Sequence, residues 1–315
     1  MRLIITGGAG FVGSHLADAL LAAGHDVTVV DNLSTGRRSN VPPGAILAEC
    51  DVRSRLVDLF RTVRPEVVFH LAAQVSVAES VLDPVADLTT NAVGTVNVMD
   101  AATACGARKV ISMSSAAVYG VPQSLPLSEN SPTRPISPYG LSKLVTEDYI
   151  RLMGTLRGIA YTIIRPANIY GPRQMSDGEG AVIPAFLERF LSRTAPTIHG
   201  TGEQTRDFVY VTDMVGALMQ AMDYADGMTV NVSSAKAISV LELWTLLARM
   251  VGWTDGPVFG PVREGDIPHS LMANEAARHN LRWAPRTSLQ EGLALTTTWY
   301  SQLQAAAGHE NARRS

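Results

Sequence analysis

An apolar run, Leu3-Ile4-Ile5, leads directly into Thr6-Gly7-Gly8-Ala9-Gly10-Phe11-Val12-Gly13, and no other feature restricts the fold of this chain as strongly. The run has the length and composition of a buried strand. Ser14 to Ala23 is rich in Ala and Leu at helical spacing and is closed by Gly24. Asp26-Val27-Thr28-Val29-Val30-Asp31 then reads as a second strand that ends in an acid. Gly7, Gly10 and Gly13 let the backbone turn tightly and approach a bound pyrophosphate at the N-terminus of the helix. Asp31 stands where a carboxylate can accept from the adenosine ribose hydroxyls and would repel a 2′-phosphate. The pattern therefore predicts NAD rather than NADP.

A second feature lies far along the chain, in Ser137-Pro138-Tyr139-Gly140-Leu141-Ser142-Lys143. A Tyr four residues before a Lys puts both side chains on one face of a helix. The ammonium there can stabilise a phenolate and so make Tyr139 a usable base near neutral pH. A pair at this spacing is also what an ordinary amphipathic face supplies. It gains chemical meaning from the dinucleotide turn that precedes it.

Composition narrows the partners. Over 315 residues the 26 basic and 29 acidic side chains leave a formal net charge of −3. No global field draws the chain to nucleic acid or to an anionic membrane, so an anionic ligand must be held by local groups. Cys50 and Cys105 have no metal-ligand or Cys-x-x-Cys spacing, which predicts reduced thiols, no metal site and a cytoplasmic location. The N-terminal apolar run is too short for a signal peptide, and no stretch has the length to span a bilayer.

Strands and helices alternate through the first half. Val67 to Leu71, Val110 to Met113 and Tyr161 to Ile164 read as strands; Asn91 to Ala104 and Tyr139 to Leu156 read as helices. That rhythm predicts an α/β fold with a doubly wound parallel sheet. Beyond Pro166 the rhythm breaks at Gly171-Pro172, Asp177-Gly178-Glu179-Gly180 and Gly200-Thr201-Gly202. Strands follow at Asp207 to Val211 and Thr229 to Val232, with a helix at Val240 to Val251. The expected organisation is a dinucleotide-binding domain from 1–167 and 207–233, with a smaller C-terminal substrate lobe from 168–206 and 234–307. The polar tail, 308–315, is expected to fray.

Over roughly residues 1 to 285 the chain resembles the extended short-chain dehydrogenase/reductase family, in its UDP-galactose 4-epimerase branch. The resemblance rests on motifs that fall in order: the glycine turn, Asp31-Asn32-Leu33-Ser34-Thr35-Gly36, Asp51-Val52, His70-Leu71-Ala72-Ala73 and Asn91-Ala92-Val93-Gly94-Thr95. Then come Ser114-Ser115-Ala116-Ala117-Val118-Tyr119-Gly120, Tyr139 to Lys143, Arg165-Pro166-Ala167-Asn168, Thr205 to Val211 and Arg263-Glu264-Gly265-Asp266. It implies a Rossmann domain and a triad: Ser115 to bond the reacting sugar hydroxyl, Tyr139 as base, and Lys143 to hold the cofactor ribose. It assigns the cofactor to Gly7, Gly10, Phe11, Val12, Gly13, Asp31, Asn32, Ser34, Thr35, Gly36, Asp51, Val52, Leu71, Ala72, Ala73, Asn91, Tyr139, Lys143 and Pro166. It assigns a UDP-sugar to Ser115, Tyr139, Asn168, Val182, His199, Arg206, Arg263, Asp266 and Ser270. The two arginines suit a pyrophosphate, because forked guanidinium donors bind it in pairs.

The resemblance also separates the reactions this scaffold supports. The 4,6-dehydratases carry Asp-Glu, and the decarboxylases a Glu, at positions held here by Ala116 and Ala117. Without an acid there, the expectation is oxidation at C4, turnover of the 4-keto sugar and return to its other face. Uronate 4-epimerases carry Thr and Arg where this chain has Asn168 and Met175. Met175 cannot neutralise a carboxylate, which favours uncharged hexoses. Ser270 is small enough to leave room for a 2-acetamido group, so UDP-GlcNAc and UDP-GalNAc stand beside UDP-Glc and UDP-Gal. A uronate epimerase or a related NAD-dependent nucleotide-sugar enzyme is the alternative, and a non-catalytic sensor a remote one. Val75 replaces a Lys that some epimerases place near the NAD pyrophosphate, so weaker cofactor retention is expected. A homodimer through the helices at 91–104 and 139–156 is expected by analogy.

Overall fold

The computed structural model describes residues 1–176, 181–262 and 267–314, with side chains as far as residue 305. Seven parallel strands form one sheet: β1 (Arg2–Thr6), β2 (Asp26–Asp31), β3 (Ile46–Glu49), β4 (Val67–His70), β5 (Lys109–Met113), β6 (Ala160–Pro166) and, returning late, β10 (Met228–Val232). Their spatial order is β10-β6-β5-β4-β1-β2-β3. The winding reverses between β1 and β4, which opens a crevice beyond the carboxyl ends of those two strands.

Apart from the partly exposed edge strand β3, the strands lie in the interior because both of their faces are apolar. Leu3 and Ile5, Val27 and Val29, Val67 and Phe69 point into one layer, packed by α1 (Phe11–Ala22) and α8 (Val211–Gln220). Ile4, Val30, Val68, Val110 and Ile163 point into the other. There they meet Phe60 of α2 (Val57–Val63), Val98 and Met99 of α5 (Gly94–Ala104), and Ile150 of α6 (Pro138–Arg157). Two short helices, α3 (Val77–Leu82) and α4 (Pro84–Leu88), lie against α6 and run into a single π turn at Thr89–Val93.

A second apolar cluster holds the smaller lobe. Phe186 and Phe190 of α7 (Val182–Leu191) pack with Leu243 and Trp244 of α9 (Val240–Val251) and with Leu293 and Tyr300 of α11 (Leu289–Arg314). β7 (Asn168–Tyr170), β9 (Thr205–Tyr210) and β11 (Ala237–Ser239) form a three-stranded sheet, with β9 central. β9 therefore belongs with β7 and β11, and of the segment expected at 207–233 only β10 enters the large sheet. β8 (Thr197–His199) pairs with β12 (Val258–Gly260) in a separate ribbon, and α10 (Glu275–Asn280) lies near β10.

Two sequence expectations need correction. The helix expected from Asn91 begins with the π turn, and regular α-helix starts at Gly94. α11 continues to Arg314, past Gly308 where fraying is expected. Ala305, Ala306 and Ala307 carry the helix across that point, Ala having the highest helix propensity. Among the described residues no helix is long and apolar enough to cross a membrane.

Candidate active site at the sheet's carboxyl edge

The glycine turn is built for close approach. Gly7 has φ +72°, and a Cβ there would stand 2.7 Å from Ala72 N and 2.9 Å from the Leu71 carbonyl carbon. A Cβ on Gly13 would lie 2.2 Å from Gly7 O. These contacts press the N-terminus of α1 against the end of β4, and no side chain caps that helix at Gly10. The first turn, carrying Phe11, Val12 and Gly13, thus opens on the crevice with its dipole uncompensated, as an anionic ligand requires. Asp31, at the end of β2, is buried and accepts from Ala9 N (2.9 Å) and Leu33 N (2.8 Å). Gly36 closes back on it, since a Cβ there would meet Asp31 Oδ1 at 2.9 Å. Asn32 holds Ser34 through Oδ1 and donates to Asp51 Oδ2 at 2.9 Å, so the loop through Thr35 is tied to the strand-end acid beside it. Arg53 grips Asp51 with two bonds and, with lesser help from Asn32, holds its carboxyl well below the usual range. Val52 is buried beneath Gly94. Leu71, Ala72 and Ala73 follow β4, with Leu71 N and Ala72 N donating to Thr6; Pro166 ends β6. A cradle of backbone N–H groups with an acid at the next strand fits a dinucleotide.

Asn91 stands apart from these groups. It is 3 % exposed, and its amide is spent on Gln74, Asp87 and Ser142 inside the protein. Its part is to shape the loop after β4.

Ser115 and Tyr139 come together through two helix starts. Ser115 caps the short 3₁₀ turn Ala116–Tyr119, its Oγ accepting from Ala117 N at 3.0 Å, which leaves the hydroxyl proton to donate elsewhere. Ser137 caps α6 by accepting from Gly140 N at 3.1 Å, and Pro138 sits in the first helical turn. Gly140 then packs so closely on the 3₁₀ turn that a Cβ would stand 2.6 Å from Ala117 O. Tyr139 is thereby held against the segment that carries Ser115. One turn on, Lys143 Nζ donates to Met113 O at 2.8 Å, the end of β5. Tyr139, Lys143 and Ser115 are all more than 90 % buried. The arrangement offers a buried phenol with a cation one helical turn away, on a helix start packed against the segment that carries a buried hydroxyl.

In the smaller lobe, Arg206 Nη1 donates to Thr205 O at 2.9 Å and reaches Pro268 O at 3.5 Å. Ser270 N donates to that same Thr205 O at 3.1 Å, so Arg206 and Ser270 share one anchor. His199 ends β8 with Nδ1 3.1 Å from Pro261 O; Asn168 opens β7, and Val182 opens α7. Arg263 and Asp266 lie outside the described residues.

Sequence reading gave no role to the groups that support this site, and Glu147 among them it did not single out at all. Glu147, four residues beyond Lys143, is fully buried and takes a bidentate bond from Arg165 (2.8 and 2.7 Å) and one from Ser114 Oγ (2.6 Å). Arg165 also stacks 4.8 Å over the Tyr119 ring. His70 lies between Thr6 Oγ1 (2.8 Å) and Thr95 Oγ1 (2.9 Å); burial, with the Lys143 charge adding to it, lowers its pKa to about 3 and keeps it neutral. The repeat Tyr139, Lys143, Glu147 was the available signal: it continues one helical stripe by a further turn.

Residues 3–233 match the model of the NAD dependent epimerase/dehydratase family. A UDP-glucose 4-epimerase of Mycolicibacterium smegmatis is 42 % identical over 308 residues, covering 95 % of this chain and 98 % of the relative. The crystal structure of a Thermotoga maritima UDP-glucose 4-epimerase with UDP-glucose superposes with a TM-score of 0.94 at 39 % identity, covering 96 % of this chain and all of that one. A UDP-N-acetylglucosamine 4-epimerase from Methanobrevibacter ruminantium, in complex with UDP-N-acetylmuramic acid, gives 0.91 at 31 % identity over 96 % and 98 % of the two chains. With its glycine cradle, parallel sheet and buried Tyr-Lys pair matched over nearly its whole length, the chain belongs to the NAD-dependent epimerase/dehydratase family of extended short-chain dehydrogenase/reductases.

Proposed function

We propose that this chain is an NAD-dependent UDP-hexose 4-epimerase. The observation that carries the reading is the buried Tyr139–Lys143 pair on a helix packed against the Ser115 segment, with alanines, not acids, at 116 and 117. NAD bound in the cradle would supply the acceptor for the C4 hydrogen and return it within one turnover. Tyr139, as phenolate, takes the proton of the sugar 4-hydroxyl, with Ser115 bonded to the same oxygen. Lys143 stabilises the phenolate and would hold the ribose of a bound cofactor. Arg206 grips the diphosphate while the 4-keto sugar presents its other face, and Tyr139 gives the proton back. With alanines at 116 and 117 the chain lacks the acids that the dehydratases and decarboxylases carry there, which supports epimerisation over those reactions.

Uncharged hexoses suit this site, because Met175 offers no partner to a uronate carboxylate. Ser270, small and anchored beside Arg206, favours acceptance of the 2-acetamido sugars as well. We also assign a homodimer. Leu141, Tyr149, Leu152 and Leu156 are exposed along one stripe of α6, and Val93 is exposed at the π turn that packs against it. A second copy of the same face is the occupant whose chemistry matches.

The test is turnover of UDP-glucose, UDP-GlcNAc and UDP-glucuronate, each with added NAD, resolved by sugar-nucleotide chromatography. Conversion of UDP-glucose is expected, and conversion of UDP-GlcNAc would show that Ser270 opens the pocket. Conversion of UDP-glucuronate alone would overturn the assignment to neutral hexoses.

A further inference from the structure

The loop after β4 and the catalytic helix α6 are joined by a buried polar cluster that the triad and the cradle leave unused. Its centre is Asp87 on α4, which is 1 % exposed. Asp87 Oδ1 accepts from Gln74 Nε2 at 3.0 Å and from Asn91 Nδ2 at 3.2 Å, while Oδ2 has no hydrogen-bond partner among the described residues. Gln74 and Asn91 are also paired with each other: Gln74 N donates to Asn91 Oδ1 at 2.8 Å, and Asn91 Nδ2 donates to Gln74 O at 3.2 Å. From Asn91 the chain of bonds continues to Ser142 Oγ (3.0 Å), whose hydroxyl donates to Tyr139 O (3.0 Å). Gln74 directly follows Leu71-Ala72-Ala73, the segment pressed against the Gly7 turn.

An amide oxygen would serve the two donors at Asp87 Oδ1 equally well. A carboxylate adds a second acceptor oxygen, which the Ser142 hydroxyl can reach, and a charge, and burying a charge is costly unless a cation compensates. The cation in electrostatic range is Lys143. The other ionisable groups around the cluster do not fill that role. His70 on β4 is neutral, Glu147 one turn along α6 is closed into its pair with Arg165, and Glu79 on α3 and Asp83 before α4 are exposed.

We propose that Asp87 is a positioning residue of the epimerase site: it ties the loop beside the cofactor cradle to α6 and sets a negative charge in the field of Lys143, limiting how far Lys143 stabilises the Tyr139 phenolate. The proposal rests on the epimerase reading for the role of Tyr139, but its test does not need a sugar substrate. A carboxylate that opposes the Lys143 charge makes the phenol harder to ionise, so removing only the charge must make ionisation easier. Burial pushes the Asp87 carboxyl up, against nearby hydrogen bonds and the Lys143 ammonium.

The experiment is phenolate absorbance against pH on NAD-loaded protein, with Tyr139 isolated as the difference between each protein and its Tyr139→Phe counterpart. Asp87→Asn, which keeps the size and an acceptor oxygen, is expected to raise the Tyr139 ionisation constant about threefold or more. Gln74→Leu cuts the clamp and leaves the charge. It is expected to weaken NAD binding, read by fluorescence titration, by about tenfold while the Tyr139 midpoint stays in place. An unmoved midpoint in Asp87→Asn, or unchanged NAD affinity in Gln74→Leu, overturns the proposal. A moved midpoint in a protein that converts no UDP-hexose leaves the Asp87 assignment standing and removes the epimerase reading.

Discussion

Tyr139, the proposed base, stands in a position that suits the role. It is buried, held by the close packing of Gly140 on Ala117, and one turn from a lysine anchored on Met113 O. Tyr139→Phe keeps the ring and its packing and removes only the oxygen. Turnover of UDP-glucose is expected to fall by about 10² or more with NAD binding retained, measured by chromatography alongside fluorescence titration of the cofactor. Asp31, Gly7, Gly13, Tyr139 and Lys143 were all legible at this scale, because each has a distinctive residue type at a fixed spacing. Asn91 was legible only as a motif letter. Its amide is consumed by Gln74, Asp87 and Ser142, groups as far as 51 residues away in the chain, and no local pattern announces such a bond.

At the scale of elements, the start of α6 decides where the phenol stands. Ser137 Oγ satisfies Gly140 N, and Pro138 fits the first helical turn because its missing N–H needs no partner there. Ser137→Ala is expected to cost about 1 kcal/mol of stability, read as a lower denaturation midpoint. It should also lower kcat, since fraying of the first turn displaces Tyr139. The cap and the proline could be read from the sequence. The π turn ahead of α5 could not. It arises where α4, α5 and α6 meet and Asn91 O accepts from both Thr95 Oγ1 (2.6 Å) and Thr146 Oγ1 (3.2 Å). β3 and α2, short and weakly patterned, were likewise unremarked until strand pairing and the packing of Phe60 defined them.

Across the whole molecule, one buried ion pair binds α6 to β6. Burial would raise the Glu147 carboxyl, but the bonds and charge of Arg165, with Ser114 and Arg151, overcome it and hold the group below its ordinary 4.5. In the unfolded chain the carboxyl titrates at that ordinary value. The stabilisation is therefore fully present above about pH 4.5 and is lost as the pH falls below it, toward the depressed native value. Glu147→Gln strands a buried guanidinium and is expected to destabilise the fold by about 3–5 kcal/mol. In thermal denaturation followed from pH 7 to pH 3, the variant should also lose stability less steeply in the acid range than the wild type. On the outer face of the same helix, Leu152→Glu puts charge into the exposed apolar stripe. It is expected to convert a dimer into a monomer in sedimentation velocity with the denaturation profile of the single chain kept; an unchanged dimer would remove this face as the interface.

The amino-acid sequence by itself determined the parallel α/β architecture, the glycine cradle with its acid, and the Tyr139–Lys143 pair. Each is encoded over a few residues, by periodicity, by a glycine where a Cβ would collide, or by a one-turn spacing on a helix. Tertiary structure decided the rest: the packing of Gly140 on Ala117 that sets the start of α6 against the Ser115 segment, the Glu147–Arg165 lock, the Asp87–Gln74–Asn91 cluster, and the placing of β9 with β7 and β11 in place of the large sheet. These depend on contacts between segments distant in sequence. Buried polar groups in such places take whichever partner the packed backbone delivers, and that partner is set by the fold as a whole and not by the neighbouring residues.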